Sequence, residues 1–312
     1  MKLMRTEDAV GQVLCHDITQ IIKGVTKDAV FRKGHVITEE DIPVLLSVGK
    51  DSIYIWEKDD TMLHENEAAE ILYAMCKNKH MHPSDVKEGK IEVIADCDGL
   101  LKVDSDKLKK VNAFGQMMIA SRHGNTPVKK GDKLAGTRII PLVIEKEKMH
   151  KAAAICADGP ILELKEFHKK KVGIITTGNE VYHKRIEDTF TPVIKEKLAE
   201  YDTEVIYHEI FDDNHEKITR GCLTAIKKGA DLVICTGGMS VDPDDKTPLA
   251  IKNTGAEIVS YGAPVLPGAM FLLSYYKNDI PILGLPGCVM YAKRTIFDLV
   301  LPRISADDKI TA

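Results

Sequence analysis

Past residue 170, short β-like runs alternate with stretches that are apolar on one side only. Runs at 172–176, 203–210 and 231–236 have strand length, and 192–201, 214–228 and 247–253 carry helical spacing. Further short runs at 257–260, 270–275 and 281–283 read as strands before a closing helix over 289–301. This alternation predicts an α/β fold, a mostly parallel sheet with helices on both faces. Such sheets bind ligands at the carboxyl ends of their strands, beside a switch in strand order.

Upstream the pattern is less regular. Residues 31–37 give way to Thr38-Glu39-Glu40-Asp41, where Thr38 reads as the N-cap of a helix whose apolar side is Ile42, Leu45, Leu46 and Val48. Residues 52–56 read as a strand and 66–77 as a helix through Ile71, Leu72 and Met75. Gly-Asp turns among the apolar pieces 91–95, 100–103, 128–136 and 138–144 suggest a β-rich region forming a small barrel or sandwich. The expected division is an N-terminal α+β segment over 1–60, a β-rich middle domain over 61–165 and the α/β domain over 166–312.

Candidate chemistry sits where the α/β strands should end. Thr176-Thr177-Gly178-Asn179-Glu180 leaves the first strand, and Asp212-Asp213 follows the second. Thr236-Gly237-Gly238-Met239-Ser240 leaves the third, with Asp242, Asp244 and Asp245 beyond it; Gly284-Leu285-Pro286-Gly287 leaves the last. Glycines and hydroxyls at a strand-to-helix turn let backbone N–H groups approach an anion, and nearby carboxylates suit a divalent metal or a proton transfer. Gly and Asp also build ordinary turns, so no one loop marks a site by itself; all of them on one edge do.

Other constellations fail on detail. There is no G-x-x-x-x-G-K-[ST], G-x-G-x-x-G or G-x-S-x-G. Cys76, His80 and His82 match no standard zinc spacing. Cys15-His16-Asp17 would point to opposite faces of a strand, against a nucleophilic reading.

Composition narrows the partners. With 43 Lys+Arg against 47 Asp+Glu in 312 residues, net charge −4, nothing in bulk draws the chain to nucleic acid or an anionic membrane. The charge runs 107–110 and 169–171 read as solvated faces. Seven unpatterned cysteines suggest reduced thiols, the first ten residues hold no apolar core, and no apolar run approaches the ~20 residues of a membrane span. A cytoplasmic location is expected.

Taken in order, TTGNEV at 176–181, the Asp pair at 212–213, TGGMSVDPDD at 236–245, LPG at 266–268 and GLPG at 284–287 resemble the molybdopterin-binding domain of molybdenum-cofactor biosynthesis proteins. The stretch 31–55 also looks like a piece preceding that domain in molybdopterin molybdenumtransferases. The resemblance implies a pterin dithiolene carrying a phosphate or adenylate, an enzyme that inserts molybdate, and oligomeric assembly. By the same resemblance Thr177, Gly178, Thr236, Gly237, Gly238 and Ser240 hold the ligand with Pro267, Gly268, Gly284, Pro286 and Gly287. It assigns Glu180, Asp212 and Asp245 to catalysis, and Mg²⁺ to Asp245 and Glu180. Alternatives of the same fold are a molybdopterin carrier or sensor, a pterin adenylyltransferase and a nucleotide pyrophosphatase. The chain departs from the family pattern where Asn179 stands for an Asp and where Pro267-Gly268-Ala269-Met270 replaces a lysine-bearing P-G-K-P segment. The family's D-G-Y-A motif is missing, and the last loop reads P-G-C-V where P-G-N-P is common.

Overall fold

A computed structural model describes residues 1–312 except 23, 25, 56–58, 241 and 244, with backbone alone at 26 and 27. Asp244 and Trp56 therefore lie outside the described residues. The chain divides into two units, one of Met1–Asp96, Val103–Arg122 and Gly131–Glu163, the other of Cys97–Lys102, His123–Lys130 and Leu164–Ala312.

In the second unit the strands are β1 (Lys171–Thr177), β2 (Glu204–Phe211), β3 (Leu232–Thr236), β4 (Glu257–Tyr261), β5 (Leu272–Tyr276) and β6 (Ile280–Leu285). The helices are α1 (Asn179–Tyr182), α2 (Phe190–Ala199), α3 (His215–Lys227), α4 (Thr247–Asn253) and α5 (Ile296–Ser305). The sheet runs β2-β1-β3-β6-β5-β4. Its first four strands are mutually parallel, β5 runs against them, and β4 pairs antiparallel with β5, so the sheet is mixed. β1 and β3 are buried on both faces, which is why they read as continuous apolar runs. Val172, Ile174, Leu232 and Ile234 face a core built with α2 and α5, whereas Ile175, Val233 and Cys235 face α3 and α4. The closing helix starts at Ile296 rather than near 289, because Thr295 and Asp298 form a capping box there. Residues Gly287–Met290 make a single 3₁₀ turn instead.

The first unit differs from expectation in its middle. In place of a barrel or sandwich, the strands Met81–Pro83, Ile91–Ala95, Lys133–Ile139 and Met117–Ser121 form an open antiparallel sheet in that order. The helix Glu65–Cys76 packs on it and buries Ala69, Leu72, Tyr73 and Cys76. A sheet covered by a helix has no need to close on itself. Two helices escaped the sequence pattern, Ser105–Asn112 and Lys146–Ala154; both are short and charged, with only one or two buried positions each. The run 107–110 lies in the first, which Asp104 caps. Near the N-terminus, Thr38 does not cap the helix; Asp41 starts it, accepting hydrogen bonds from the Thr38 N–H and hydroxyl.

A charge hub ties distant parts of the second unit together. The buried Asp308 carboxylate accepts from Lys102 Nζ (2.9 Å), Lys165 Nζ (2.8 Å) and Arg303 Nε (2.7 Å). Burial alone would raise this carboxyl, but the three cations outweigh it and hold it well below the usual carboxylate range. Its contribution to stability is therefore present above about pH 4 and is lost as pH falls below that. Asp308→Asn should destabilise the protein by about 1–3 kcal/mol at pH 7, because it leaves three cations facing one another. Urea unfolding of both proteins at pH 7 and pH 3 checks this: the gap between them should shrink at the lower pH.

Candidate functional site

Parallel register decides what meets at the sheet edge. Thr176 pairs with Thr236, and Thr236 with Leu285, so β1, β3 and β6 end at one level. β5 begins beside Gly284, which brings residues 262–271 to the same edge. All three glycine loops and Asp212 thus lie at the carboxyl edge of the parallel strands.

The turn after β3 presses against the end of β1. Gly237 and Gly238 adopt φ of +84° and +56°, conformations that suit glycine. A Cβ on Gly237 would stand 2.2 Å from the Thr177 carbonyl oxygen, and one on Gly238 2.9 Å from Thr247 Oγ1. The Thr247 hydroxyl donates to the Gly237 carbonyl (2.8 Å), which leaves Thr177 as donor to Thr247 Oγ1 (3.1 Å). Asp245 reaches the same place, its Oδ1 3.6 Å from the space a Gly238 Cβ would take. Among the described residues the N–H groups of Gly238, Met239 and Ser240 have no hydrogen-bond partner. The Thr247 N–H is spent on the Gly238 carbonyl (3.2 Å), so helix α4 does not offer its first amide to an anion.

Other expected residues are placed differently from one another. Glu180 folds back over Gly178, its Oε1 2.8 Å from where a Cβ would stand. Asp212 is neutralised by Lys217 Nζ (2.7 Å), which also lies 5.6 Å from the Tyr182 ring centre; the other Asp212 oxygen is buried with no partner among the described residues. Thr236 faces the α2 side of the sheet, fully buried, and its hydroxyl has no partner among the described residues. Gly284 is occupied from within: the Met239 side chain lies 2.6 Å from its missing Cβ. Pro286 is buried, Gly287 exposed with open space around it, and Ser240 exposed. Pro267 accepts from the Ile296 N–H (3.3 Å), and Gly268 lets Ile296 pack close, so this segment braces the start of α5.

Asn179 has a structural partner. Its N–H donates to Asp213 Oδ2 (3.0 Å), and its side-chain oxygen accepts from the Asp213 N–H (3.5 Å). An aspartate at 179 would set two carboxylates against each other.

Several participants were not visible in the sequence. Thr191, Asp188 and His208 form a network with Thr176 on the α2 side: His208 Nε2 lies 3.2 Å from Thr176 Oγ1, and Thr191 Oγ1 donates to Asp188 Oδ2 (2.5 Å). Burial pushes the His208 imidazole below its ordinary value, against the pull of Asp188. Tyr261 donates to the Met239 carbonyl (3.2 Å); burial raises its phenol, and Asp245 adds to the rise. Thr247 alone had a usable signal, a hydroxyl directly after the acidic loop.

Among the described residues no three His, Cys, Asp or Glu side chains converge to hold a metal ion. Cys76 is buried and His82 pairs with Asp96, which removes the metal reading of that string. Burial pushes the Cys15 thiol up to about 11, which suits a core thiol rather than a nucleophile.

Fold and edge together define an α/β domain with its loops gathered at the carboxyl ends of parallel strands. Residues 173–306 match the family model described as "Probable molybdopterin binding domain". Residues 3–57 match a domain of unknown function (DUF8806). The molybdopterin molybdenumtransferase of Haemophilus influenzae is 29% identical over 57% of this chain and 43% of its own length. A competence-damage inducible protein of Bacillus cereus is 32% identical over 34% of this chain and 24% of its own. The chain thus spans less than half the length of these curated relatives. Among solved structures, the tungsten cofactor synthesizing protein MoaB from Pyrococcus furiosus is 23% identical, covering 39% of this chain and 84% of that one, with a TM-score of 0.32.

Replacing Gly237 by Ala should cost about 2 kcal/mol or more, since the new methyl must displace the end of β1 and strain the turn. Gly287→Ala, with open space around it, should stay within about 0.5 kcal/mol. Urea unfolding of the two variants beside the parent checks the contrast.

Proposed function

We propose that residues 173–306 bind molybdopterin or its adenylate by the phosphate, and that the chain acts as a molybdopterin molybdenumtransferase, delivering molybdate to the dithiolene sulfurs as the adenylate is cleaved. The observation that carries this reading is the turn over 237–240, where three consecutive N–H groups without partners lie beside Thr177 and Asp245. Successive free amides make a concavity suited to a phosphate. The family match over 173–306 supports a pterin as the rest of the ligand.

On this reading the amides of 238–240 fix the phosphate, and Tyr261 steadies them through the Met239 carbonyl. Thr177 and Thr247 hold the turn open by bonding to each other and to Gly237. Asp245 and Glu180 flank the bound phosphate. Their carboxylates repel it unless a cation lies between, and two carboxylates with phosphate oxygens are a common Mg²⁺ set. With Mg²⁺ bound there, the phosphoryl group would be polarised toward cleavage. Asp212, already paired with Lys217, serves to hold α1 and Glu180 in place.

A second reading, a molybdopterin carrier without insertion, is favoured by one observation: residues 267–270 brace α5 and contain no cation for molybdate.

Asp245→Asn should abolish AMP release from adenylylated molybdopterin supplied with molybdate and Mg²⁺, while pterin affinity stays within about tenfold, or ~1.4 kcal/mol. Stopped assays for AMP and fluorescence titration with molybdopterin read the two effects separately. Equal loss of both would place Asp245 on the ligand itself, and tight binding without AMP release in the parent protein would favour the carrier.

A further inference from the structure

One face of the open sheet in the first unit is covered by helix, and the other carries a row that nothing in the chain explains. Ala120, Gly136 and Glu92 pair directly across three strands and point away from the buried face of Ile119, Thr137 and Ile91. Glycine inside a strand costs about 0.5–1 kcal/mol relative to alanine, and it often marks close approach by another backbone or a ligand. The other glycines within strands have reasons inside the chain. A Cβ on Gly99 would strike the Lys165 carbonyl at 2.4 Å, on Gly173 the Ala225 methyl at 2.5 Å, and on Gly284 the Met239 side chain at 2.6 Å. Gly136 has no such neighbour, only Lys90 Cε at 3.7 Å, and it needs no left-handed φ.

The cleft above this row is about 600 Å³. Four cations line it, Lys90, Arg122, Lys133 and Arg138: Lys90 and Lys133 share Glu92 and Arg122 pairs with Asp132, so four positive charges stand against two carboxylates. Met118, 41% exposed and paired with Arg138, adds an apolar floor with Ala120. Arg138 makes no ion pair with a described residue; within the chain its charge is felt by the Glu65 carboxyl, which it pulls down against burial.

We propose that this face docks an acidic, partly apolar polypeptide segment of a partner protein, laid flat over Ala120 and Gly136 with its carboxylates on the surrounding lysines and arginines. Edge addition is not the mode, because the Asn112 carboxamide already bonds both the N–H (2.8 Å) and the carbonyl (3.0 Å) of Ile119 on the outer strand. A single-stranded nucleic acid fits less well: the cleft has no aromatic ring on which bases could stack, and the chain as a whole is acidic. The interaction should weaken with salt, as contacts between exposed charges do.

Fluorescence anisotropy of a labelled glutamate–leucine peptide, titrated with the full chain, tests this. A lysine–leucine peptide and a thymidine oligonucleotide serve as comparisons. The acidic peptide should bind at micromolar concentration, and Lys133→Glu with Arg138→Glu should weaken it by about tenfold or more. Gly136→Val should weaken it comparably while leaving the melting temperature unchanged or higher, since the space is open and valine favours strands. Binding no stronger than that of the lysine peptide, or tighter binding of the oligonucleotide, overturns the proposal. So does peptide binding that Gly136→Val leaves intact, or a concentration-dependent doubling of mass that this variant abolishes, which would assign the face to a second copy of the chain.

Discussion

The second unit is organised around a single close approach, that of the turn at 237–238 to the carbonyl end of β1. A side chain on Gly237 would leave only 2.2 Å to the Thr177 oxygen, so the two strand ends can lie this near only because glycine stands there. From that contact the rest of the edge follows. Thr177 and Thr247 come within hydrogen-bonding distance, Asp245 is carried over Gly238, and Met239 swings across to fill the space above Gly284. One backbone contact thus couples β1, β3 and β6, the three central strands, at the place where a ligand would have to enter.

The parallel register also sorts polar groups onto opposite faces. Thr176 and Thr177 are neighbours in β1, yet one joins Thr191 and His208 on the α2 side and the other joins Thr247 on the α4 side. Buried hydroxyls must find partners, and the chain supplies them on each face separately. On β3 the exception is Thr236, buried with no partner among the described residues while Thr176 beside it has two; Ser305 in α5 is a second such hydroxyl. At the outer strand the logic is electrostatic. Lys217 neutralises Asp212 and lies against Tyr182, and the reciprocal pair of Asn179 and Asp213 fixes the start of α1. The acid Glu180 is thereby held between a neutralised Asp212 and the turn whose Arg185 N–H donates to the Glu180 carbonyl (2.8 Å).

The sheet of the second unit was legible because strands buried on both faces must be apolar throughout, and the helices between them must be apolar on one side. The reversal of β5, which makes both of its pairings antiparallel, left no such mark, since a strand's direction is not written in its pattern. The closing helix was placed too early for a local reason: the capping pair Thr295 and Asp298 outranks the apolar residues before it. In the site, the glycines and acids could be read from their position after strands, but their partners could not. Tyr261 and His208 act across sequence gaps that only the fold closes, and Lys217, five residues from Asp212, carries no mark of the pairing. In the first unit the failure is one of length and polarity, because charged helices of eight or nine residues with one or two buried positions are too short to stand out between flanking β-like runs.

These features bear unequally on binding and on turnover. Holding a phosphate needs a turn with free amides, and Gly237, Gly238 and their hydroxyl partners supply it through backbone geometry alone. Moving an oxyanion such as molybdate into place needs positive charge at the ligand, and here the loop at 266–268 is committed to packing on Ile296 while Lys217 is committed to Asp212. On the proposed reading, insertion therefore depends on a cation brought by the ligand's own metal or by a side chain that moves, whereas binding depends on neither. On that reading the loops favour holding a phosphorylated pterin over acting on it, and that asymmetry is where the transferase and carrier readings part.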